Sequence, residues 1–174
     1  MRLPVVLFDL DGTVIDSRAD LAAATNHVLR TFGRPEIAPE SVHALVGEGA
    51  RRLVERAMPD ADAAMVDEGV RRFLAHYDDH LLDDTVLYPG IEETLVRLDE
   101  ARVALTVLTN KPEGLSRRVL DGLGVASRFR AIVGGDSLAT RKPDPSGLAQ
   151  LRRVTGSTAE RTLLVGDSIV DVRY

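Results

Sequence analysis

Four short apolar segments divide the chain, and each ends at polar or glycine residues. They are Arg2–Leu10, Val103–Leu108, Ala131–Val133 and Thr162–Val165. Continuous apolar runs of this length are typical of strands that are buried on both faces. After the second segment, strands alternate with apolar stripes at helical spacing, as in βαβ units. The pattern therefore predicts an α/β fold with a parallel sheet.

The region between the first and second strands has a different pattern. Apolar residues recur there every three to four positions, which predicts four helices. These start after the N-cap Ser17, near Glu40–Leu45, at Ala50 and before Val66. Tyr88-Pro89-Gly90 then marks a boundary. The sequence predicts a core made of residues 1–16 and 89–174, with an all-helical insertion of residues 17–88.

Composition narrows the possible functions. The chain has 174 residues and a formal net charge of −5, which argues against a duplex-DNA binder. It has no cysteine, which excludes disulfides, thiolate metal sites and cysteine nucleophiles. No apolar run approaches the roughly 18 residues that a membrane span needs. We expect a cytoplasmic protein that binds neither nucleic acid nor membrane.

Polar side chains come directly after three of the strands, and one more lies in the loop before the last strand. They are Asp9, Asp11, Thr109, Asn110, Lys142, Asp167 and Asp171. Ligands bind beyond the carboxyl ends of the strands in open parallel sheets, so we expect these groups to converge. Converging carboxylates need a cation, and an all-oxygen ligand set indicates Mg²⁺. The hydroxyl, amide and ammonium groups suit a tetrahedral dianion, so the pattern predicts metal-assisted phosphoryl transfer through an aspartyl-phosphate.

The same segments resemble the haloacid dehalogenase superfamily. They are Asp9-Leu10-Asp11-Gly12-Thr13, Leu108-Thr109-Asn110, Lys142-Pro143 and Gly166-Asp167-Ser168 with Asp171. In order and placement they are similar to the phosphatases with a helical cap inserted after the first strand, and most of all to phosphoglycolate phosphatases. The resemblance implies a Rossmann-like sheet core, a Mg²⁺ cofactor and a small phosphorylated metabolite as the partner.

The resemblance also implies roles for the two acidic residues of the first strand end. Asp9 would be the nucleophile and a Mg²⁺ ligand. Asp11 would be the general acid and then the general base, and its backbone carbonyl would contact the metal. Lys142 would neutralise the phosphoryl group and the attacking carboxylate.

The remaining motif residues would hold the phosphoryl group or the metal. Thr109 would donate a hydrogen bond to the phosphoryl oxygens, and Asn110 would support that loop. Asp167 would ligate Mg²⁺. Asp171 would either ligate Mg²⁺ or hold the residues that do, and it also suits a helix N-terminus.

Several other polar residues have two interpretations. Arg51 and Arg52 follow Gly47-Glu48-Gly49 in the insertion, where they suit either a solvated helix face or a grip on a substrate carboxylate. Lys111 is expected in a solvated loop. The four histidines, at positions 27, 43, 76 and 80, fit no metal-ligand spacing and are expected on the surface.

Alternative functions stay open at this point. The substrate could be another small phosphate ester or pyrophosphate, and the chain could be a truncated, inactive phosphate-binding protein. A phospho-accepting receiver module is disfavoured by Asp11-Gly12-Thr13 and by the helical insertion. Asp11 also disfavours a dehalogenase. The absence of lysine from residues 17–88 disfavours a Schiff-base hydrolase, and Gly49-Ala50 disfavours a mutase.

The end of the chain departs from the resemblance. The family continues beyond the position of Asp171 with a helix, a strand and a last helix, whereas this sequence stops at Tyr174. We therefore expect the C-terminal strand to be missing and Thr162–Val165 to form an uncovered apolar edge. This arrangement predicts either a homodimer or a monomer that is less stable than a longer chain.

Overall fold

The computed structural model describes residues 4–173 of the chain. These divide into two compact units, one of residues 4–16 and 86–173 and the other of Ser17–Thr85. The sequence placed the second boundary after residue 88, at the Tyr-Pro-Gly turn. In the structure it comes before residue 86, because the short segment that follows pairs with the first unit. The predicted residues 2 and 3 of the first strand lie outside the described part.

The first unit contains a four-stranded parallel sheet. Strands of the described chain are β1 (Val5–Phe8), β2 (Ile15–Asp16), β3 (Val86–Leu87), β4 (Ala104–Leu108), β5 (Ala131–Val133) and β6 (Thr162–Val165). The sheet order is β5-β4-β1-β6, and every pair in it is parallel. The predicted α/β class with a parallel sheet core is confirmed.

Helices flank these strands and make up most of the second unit. The helices of the described chain are α1 (Arg18–Thr31), α2 (Ala50–Ala57), α3 (Ala63–Asp79), α4 (Ile91–Glu100), α5 (Glu113–Gly122) and α6 (Ser146–Thr155). Leu151 of α6 packs on Val5 and Leu7 of β1, and all three side chains are almost fully buried. Burial of such side chains stabilises each by about 1.5–3 kcal/mol, which anchors β1 and the residues that follow it.

The helical unit contains three α-helices where the sequence predicted four. Pro39–Ala44 is a 3₁₀ helix that ends with Leu45 N–H donating to the carbonyl of Val42. Pro39 has no N–H, and the segment is too short for an α-helix before Gly47. Ser17 does occupy the N-cap position of α1, but its side chain makes no capping hydrogen bond.

Three strands add to or differ from the sequence-based expectation. β2 and β3 form an antiparallel pair of two residues each, which is too short to show in a hydrophobic pattern. Thr162–Val165 is the edge strand β6, which confirms the expected apolar edge. The apolar run does not correspond to burial on both faces, since Leu163 is 58% exposed. Both faces of a strand are buried only where helices cover both sides of the sheet.

Among residues 4–173, no helix is long and apolar enough to cross a membrane.

Candidate functional site

The end of β1 positions the first acidic residue. Asp9 N–H donates to the carbonyl of Val165 at 2.8 Å, so the backbone of Asp9 is held by the neighbouring β6. The side-chain Oδ1 of Asp9 accepts a hydrogen bond from Leu10 N–H at 2.7 Å. The carboxylate is therefore buried and oriented by the strand end itself.

Lys142 connects this strand end with the end of β6. Its Nζ lies 2.8 Å from Asp9 Oδ1 and 2.7 Å from Asp171 Oδ1. The side chains of Lys142, Asp9 and Asp171 are 1%, 6% and 2% exposed. Buried charges are costly unless they are paired, so removal of one member would leave the others uncompensated.

Asp171 uses its second oxygen to fix the turn that follows β6. Its Oδ2 accepts hydrogen bonds from Ser168 N–H at 3.0 Å and from Ser168 Oγ at 2.6 Å. This reciprocal cap starts the short 3₁₀ helix Ile169–Asp171. Asp171 therefore acts as a cap and as a member of the charged cluster, and the two sequence interpretations are not exclusive.

Three carboxylates from two strand ends form a group that fits a divalent cation. Oxygen atoms of Asp9, Asp167 and Asp171 all lie within 4.8 Å of one another. Thr13 Oγ donates to Asp167 Oδ1 at 3.0 Å, which holds that carboxylate toward the first strand end. Lys142 balances one of the three charges, so two negative charges remain when all three are ionised. An all-oxygen donor set with this charge suits Mg²⁺.

The burial of Asp9 and the charges next to it change the pKa of its carboxyl group. Burial is the main reason that the pKa of Asp9 is raised to about 6; the charge of Asp171 also raises it, and Lys142 lowers it. A carboxyl with such a pKa sits in an environment that disfavours its charged form. A cation beside it would favour the carboxylate.

Asp11 lies outside the three-carboxylate group and has its own partner. Lys111 Nζ donates to Asp11 Oδ1 at 2.8 Å, and the two side chains are 4% and 13% exposed. The expectation that Lys111 is solvated was wrong. The chain turns after β4 so that Lys111 N–H donates to Thr109 Oγ at 3.2 Å, and this turn directs the lysine inward.

Thr109 and Asn110 are buried at the end of β4. Thr109 N–H donates to the carbonyl of Val133 at 3.0 Å, which ties the strand end to β5. Asn110 Nδ2 donates to the backbone carbonyl of Lys142 at 3.2 Å. Asn110 thereby supports the loop that carries Lys142.

Two glycines allow the carboxylates to approach the backbone. A Cβ on Gly12 would lie 2.3 Å from Asp167 Oδ2, and Gly12 has a φ of +88°. A Cβ on Gly166 would lie 2.3 Å from the Asp171 carboxyl carbon. Real Cβ atoms do not approach heavy atoms this closely, so the site geometry requires glycine at both positions.

Arg51 and Arg52 lie in the helical unit, where both form ion pairs with acidic neighbours. Arg51 pairs with Asp67 at 2.6 Å and with Glu55 at 3.2 Å. Arg52 pairs with Glu55 at 2.8 Å. The proposed contact of these arginines with a substrate carboxylate stays a prediction.

Sequence reasoning missed three residues that shape the site, namely Thr13, Lys111 and Ser168. Lys111 had a signal, because it and Lys142 are the only lysines beside 20 arginines. Thr13 and Ser168 lie within the motif segments of the resemblance, but the sequence assigned them no role of their own.

A parallel sheet with this set of carboxylates and lysines at its carboxyl edge defines a class of proteins. The family model described as haloacid dehalogenase-like hydrolase matches residues 6–174. The chain therefore belongs to the haloacid dehalogenase-like hydrolase family.

Curated relatives with similar sequences are phosphoglycolate phosphatases. The one from Pseudomonas putida is 42% identical, with 97% of this chain aligned to 64% of that protein. The one from Colwellia psychrerythraea is 37% identical over 97% of this chain and 77% of that protein. The chain thus spans a little under two thirds of the length of the Pseudomonas relative.

Solved structures are similar over nearly the whole chain. A protein from Haemophilus somnus, described as a predicted phosphoglycolate phosphatase, has a TM-score of 0.92 and 30% identity. The match covers 99% of this chain and 80% of that one. A predicted phosphatase from Clostridium acetobutylicum, at 24% identity and a TM-score of 0.85, shares the fold.

Proposed function

We propose that this chain carries the active site of a Mg²⁺-dependent phosphomonoesterase whose substrate is 2-phosphoglycolate. The observation that supports this most is the buried carboxylate of Asp9, with Lys142 Nζ at 2.8 Å and the carboxylates of Asp167 and Asp171 close by. A nucleophile, a cation for the phosphoryl group and a metal-ligand set are thus within one small volume. The substrate is taken from the printed names of the relatives.

In the first half-reaction, Asp9 attacks phosphorus through one carboxylate oxygen. The P–O bond to the organic group breaks, and an aspartyl-phosphate forms. Protonated Asp11 gives its proton to the leaving alkoxide, which becomes an alcohol. Lys142 stabilises the charge on the phosphoryl oxygens, and Thr109 donates a hydrogen bond to them.

The second half-reaction returns the site to its starting state. Asp11, now a carboxylate, removes a proton from water, and the water oxygen attacks phosphorus. The bond between phosphorus and the Asp9 oxygen breaks, which releases inorganic phosphate. Lys111 holds the Asp11 carboxyl in place throughout, because its Nζ donates to Oδ1.

Asp9, Asp167 and Asp171 would hold Mg²⁺, together with the backbone carbonyl of Asp11. The bound ion would neutralise charge on the phosphoryl oxygens. Because the carboxylates carry two more negative charges than Lys142 balances, the ion also removes repulsion between these residues.

Phosphate release from a small panel of substrates tests the proposal. The panel contains 2-phosphoglycolate, hexose phosphates, pyrophosphate and p-nitrophenyl phosphate, each with Mg²⁺ and with EDTA. We expect Mg²⁺-dependent release led by 2-phosphoglycolate, and a loss of at least about 10³-fold in Asp9→Asn. Mg²⁺ should also raise the melting temperature of the wild type more than that of Asp9→Asn.

The other outcomes are distinct. Faster release from a different ester or from pyrophosphate would keep the mechanism and change the substrate. A folded chain that binds Mg²⁺ and phosphate without turnover would overturn the enzymatic proposal in favour of a phosphate-binding protein. The cytoplasmic location and the choice between monomer and homodimer stay predictions.

A further inference from the structure

Three of the four histidines come together in the helical unit, which the sequence spacing did not reveal. His27 of α1 stacks edge-to-face on His76 of α3, with ring centroids 4.3 Å apart. His76 stacks in the same way on His80, the C-cap residue of α3, at 4.4 Å. The three rings line one open groove together with Asp79. His80 is exposed and His27 and His76 are partly buried, which agrees with the expected surface location, and the contact between the three rings is the new finding.

The contacts of His80 prepare one of its nitrogens for a metal ion. Its Nδ1 lies 2.8 Å from Asp83 Oδ2. In the neutral tautomer that donates Nδ1–H to this carboxylate, the lone pair is on Nε2. A carboxylate that orients an imidazole through its other nitrogen is the usual support of a metal-binding histidine.

His76 is the middle one of the three rings, in contact with His27 on one side and with His80 on the other.

The arginines near the three rings would repel a bound cation, but each of them is paired with an acidic side chain. Arg71 and Arg72 also line the groove, but both are ion-paired with Glu68. Arg30 pairs with Glu36 at 3.0 Å. Asp79 and Asp83 add negative charge beside the rings.

The spacing of the rings is close to that of imidazoles on one ion. With Zn–N bonds of about 2.0–2.1 Å at tetrahedral angles, two bound rings have centroids roughly 5 Å apart. The three nitrogens do not yet surround one point. Among the described residues, Asp9, Asp167 and Asp171 form the one group whose three ligand atoms lie within 4.8 Å. Changes of side-chain rotamer would be needed to bring the three nitrogens around one ion.

We infer that His27, His76 and His80 form a second metal site in the helical unit, which takes a borderline ion such as Zn²⁺. Imidazole nitrogens favour Zn²⁺ over Mg²⁺, whereas the carboxylate group prefers Mg²⁺. His76 and His80 are four positions apart at the end of α3, so one ion can bridge them, and His27 adds a ligand from α1. Such an ion would link the two helices.

Calorimetric titration of the full chain with ZnCl₂ in excess Mg²⁺ tests this inference. Mg²⁺ occupies the carboxylate group, so we expect one further equivalent of Zn²⁺ to bind. His76→Gln and His80→Gln should each weaken this binding at least about tenfold, and Asp83→Asn about tenfold although it leaves all three rings. His43→Gln is the matched control and should bind as the wild type does, because His43 lies in the 3₁₀ segment Pro39–Ala44.

Thermal unfolding distinguishes ligand loss from misfolding, because His80 is exposed and His80→Gln should melt as the metal-free wild type does. Zn²⁺ should raise the melting temperature of the wild type, His43→Gln and Asp9→Asn, and not that of His76→Gln or His80→Gln. Zn²⁺ binding that survives in His76→Gln and His80→Gln, or that disappears in Asp9→Asn, would overturn the inference. Neither readout depends on phosphate release, so the inference and the proposed function fail separately.

Discussion

Lys111 lies in the site, where it forms a buried ion pair that was not expected from the sequence. Its ammonium is nearly buried, and its partner is Asp11 and not one of the three clustered carboxylates. The two lysines of the chain thus divide the acidic residues between them, with Lys142 on Asp9 and Asp171 and Lys111 on Asp11. Separate ammonium partners suit two carboxylates with different tasks.

Replacement of Lys111 by methionine should slow the reaction without changing substrate binding. Asp11 would lose its ion pair and its fixed orientation, and general acid–base catalysis depends on both. We expect kcat to fall about 10- to 100-fold with KM nearly unchanged, measured as phosphate release. Lys111→Arg retains the charge and should be less affected. An unchanged kcat in Lys111→Met would show that the ion pair has no positioning role.

A methyl group on Gly12 should disturb the metal-ligand set. Gly12→Ala places a Cβ against Asp167, whereas Gly156→Ala has a similar positive φ of +69° and nothing within 4 Å. Both variants carry the strain of a left-handed conformation, about 1–2 kcal/mol, so the collision is the difference between them. We expect only Gly12→Ala to lose the Mg²⁺-dependent rise in melting temperature. Equal losses in both would contradict this account.

At the scale of elements, the first turn of α5 is held by residues that follow β5. Asp136 Oδ1 accepts from Glu113 N–H at 2.7 Å, and Ser137 Oγ donates to Glu113. Arg117, one turn later, pairs with Glu113 at 2.7 Å. These contacts fix the start of α5 next to the loop of Asn110 and Lys111.

The hydrogen bond from Ser137, and to a lesser degree Arg117, holds the pKa of Glu113 below its usual value of 4.5. The folded state therefore binds this proton less readily than the unfolded state. The contribution of Glu113 to stability is fully present above pH 4.5 and is lost as the pH falls through the lowered pKa. The melting temperatures of wild type and Glu113→Gln should thus differ at neutral pH and converge in acid.

The Glu113 prediction has a variant that isolates its cause. Ser137→Ala removes the hydrogen bond that lowers the pKa of Glu113 most, whereas Arg117→Gln removes a smaller contribution. Glu113→Gln should therefore change the melting temperature less when it is added to Ser137→Ala than when it is added to Arg117→Gln. A difference between wild type and Glu113→Gln that grows on acidification would have the wrong sign and would exclude Glu113 as the group responsible.

At the scale of the whole molecule, the edge of the sheet in the described chain exposes apolar side chains. Leu163 of β6 is 58% exposed, and Ile169 and Val172 beyond it are 58% and 73% exposed. Edge strands with exposed apolar side chains promote pairing with other chains. The predicted dimer and the predicted low stability of this chain both depend on this edge.

Replacement of Leu163 by lysine should reduce association of the protein with itself. A charged side chain on an edge strand opposes strand pairing, and an exposed position changes stability by less than about 0.5 kcal/mol. Light scattering over a range of concentrations measures the effect. Leu82→Lys is the control, because Leu82 is 39% exposed in the helical unit and belongs to no strand. Equal suppression by both substitutions would mean that net charge is responsible and the edge is not.

The parallel sheet and several of the residues at its carboxyl edge could be predicted from the sequence alone. Local hydrophobic runs specify β1, β4 and β5, because buried strands need apolar side chains on both faces. Asp9, Asp167 and Lys142 were predicted to converge, because topology alone brings the ends of parallel strands to one edge. The 3₁₀ segment and the two-residue strands were beyond the pattern, because their formation depends on a few specific hydrogen bonds.

The pairing of those residues depends on how the chain packs in three dimensions. The partner of Asp11, the double role of Asp171 and the stacking of His27, His76 and His80 join positions up to 100 apart in the chain. Such contacts depend on how helices and loops pack, and no periodicity in a sequence encodes them. The hydrophobic pattern thus predicts where the strands lie and which side chains are at their ends. The packing of helices and loops determines which charged groups pair.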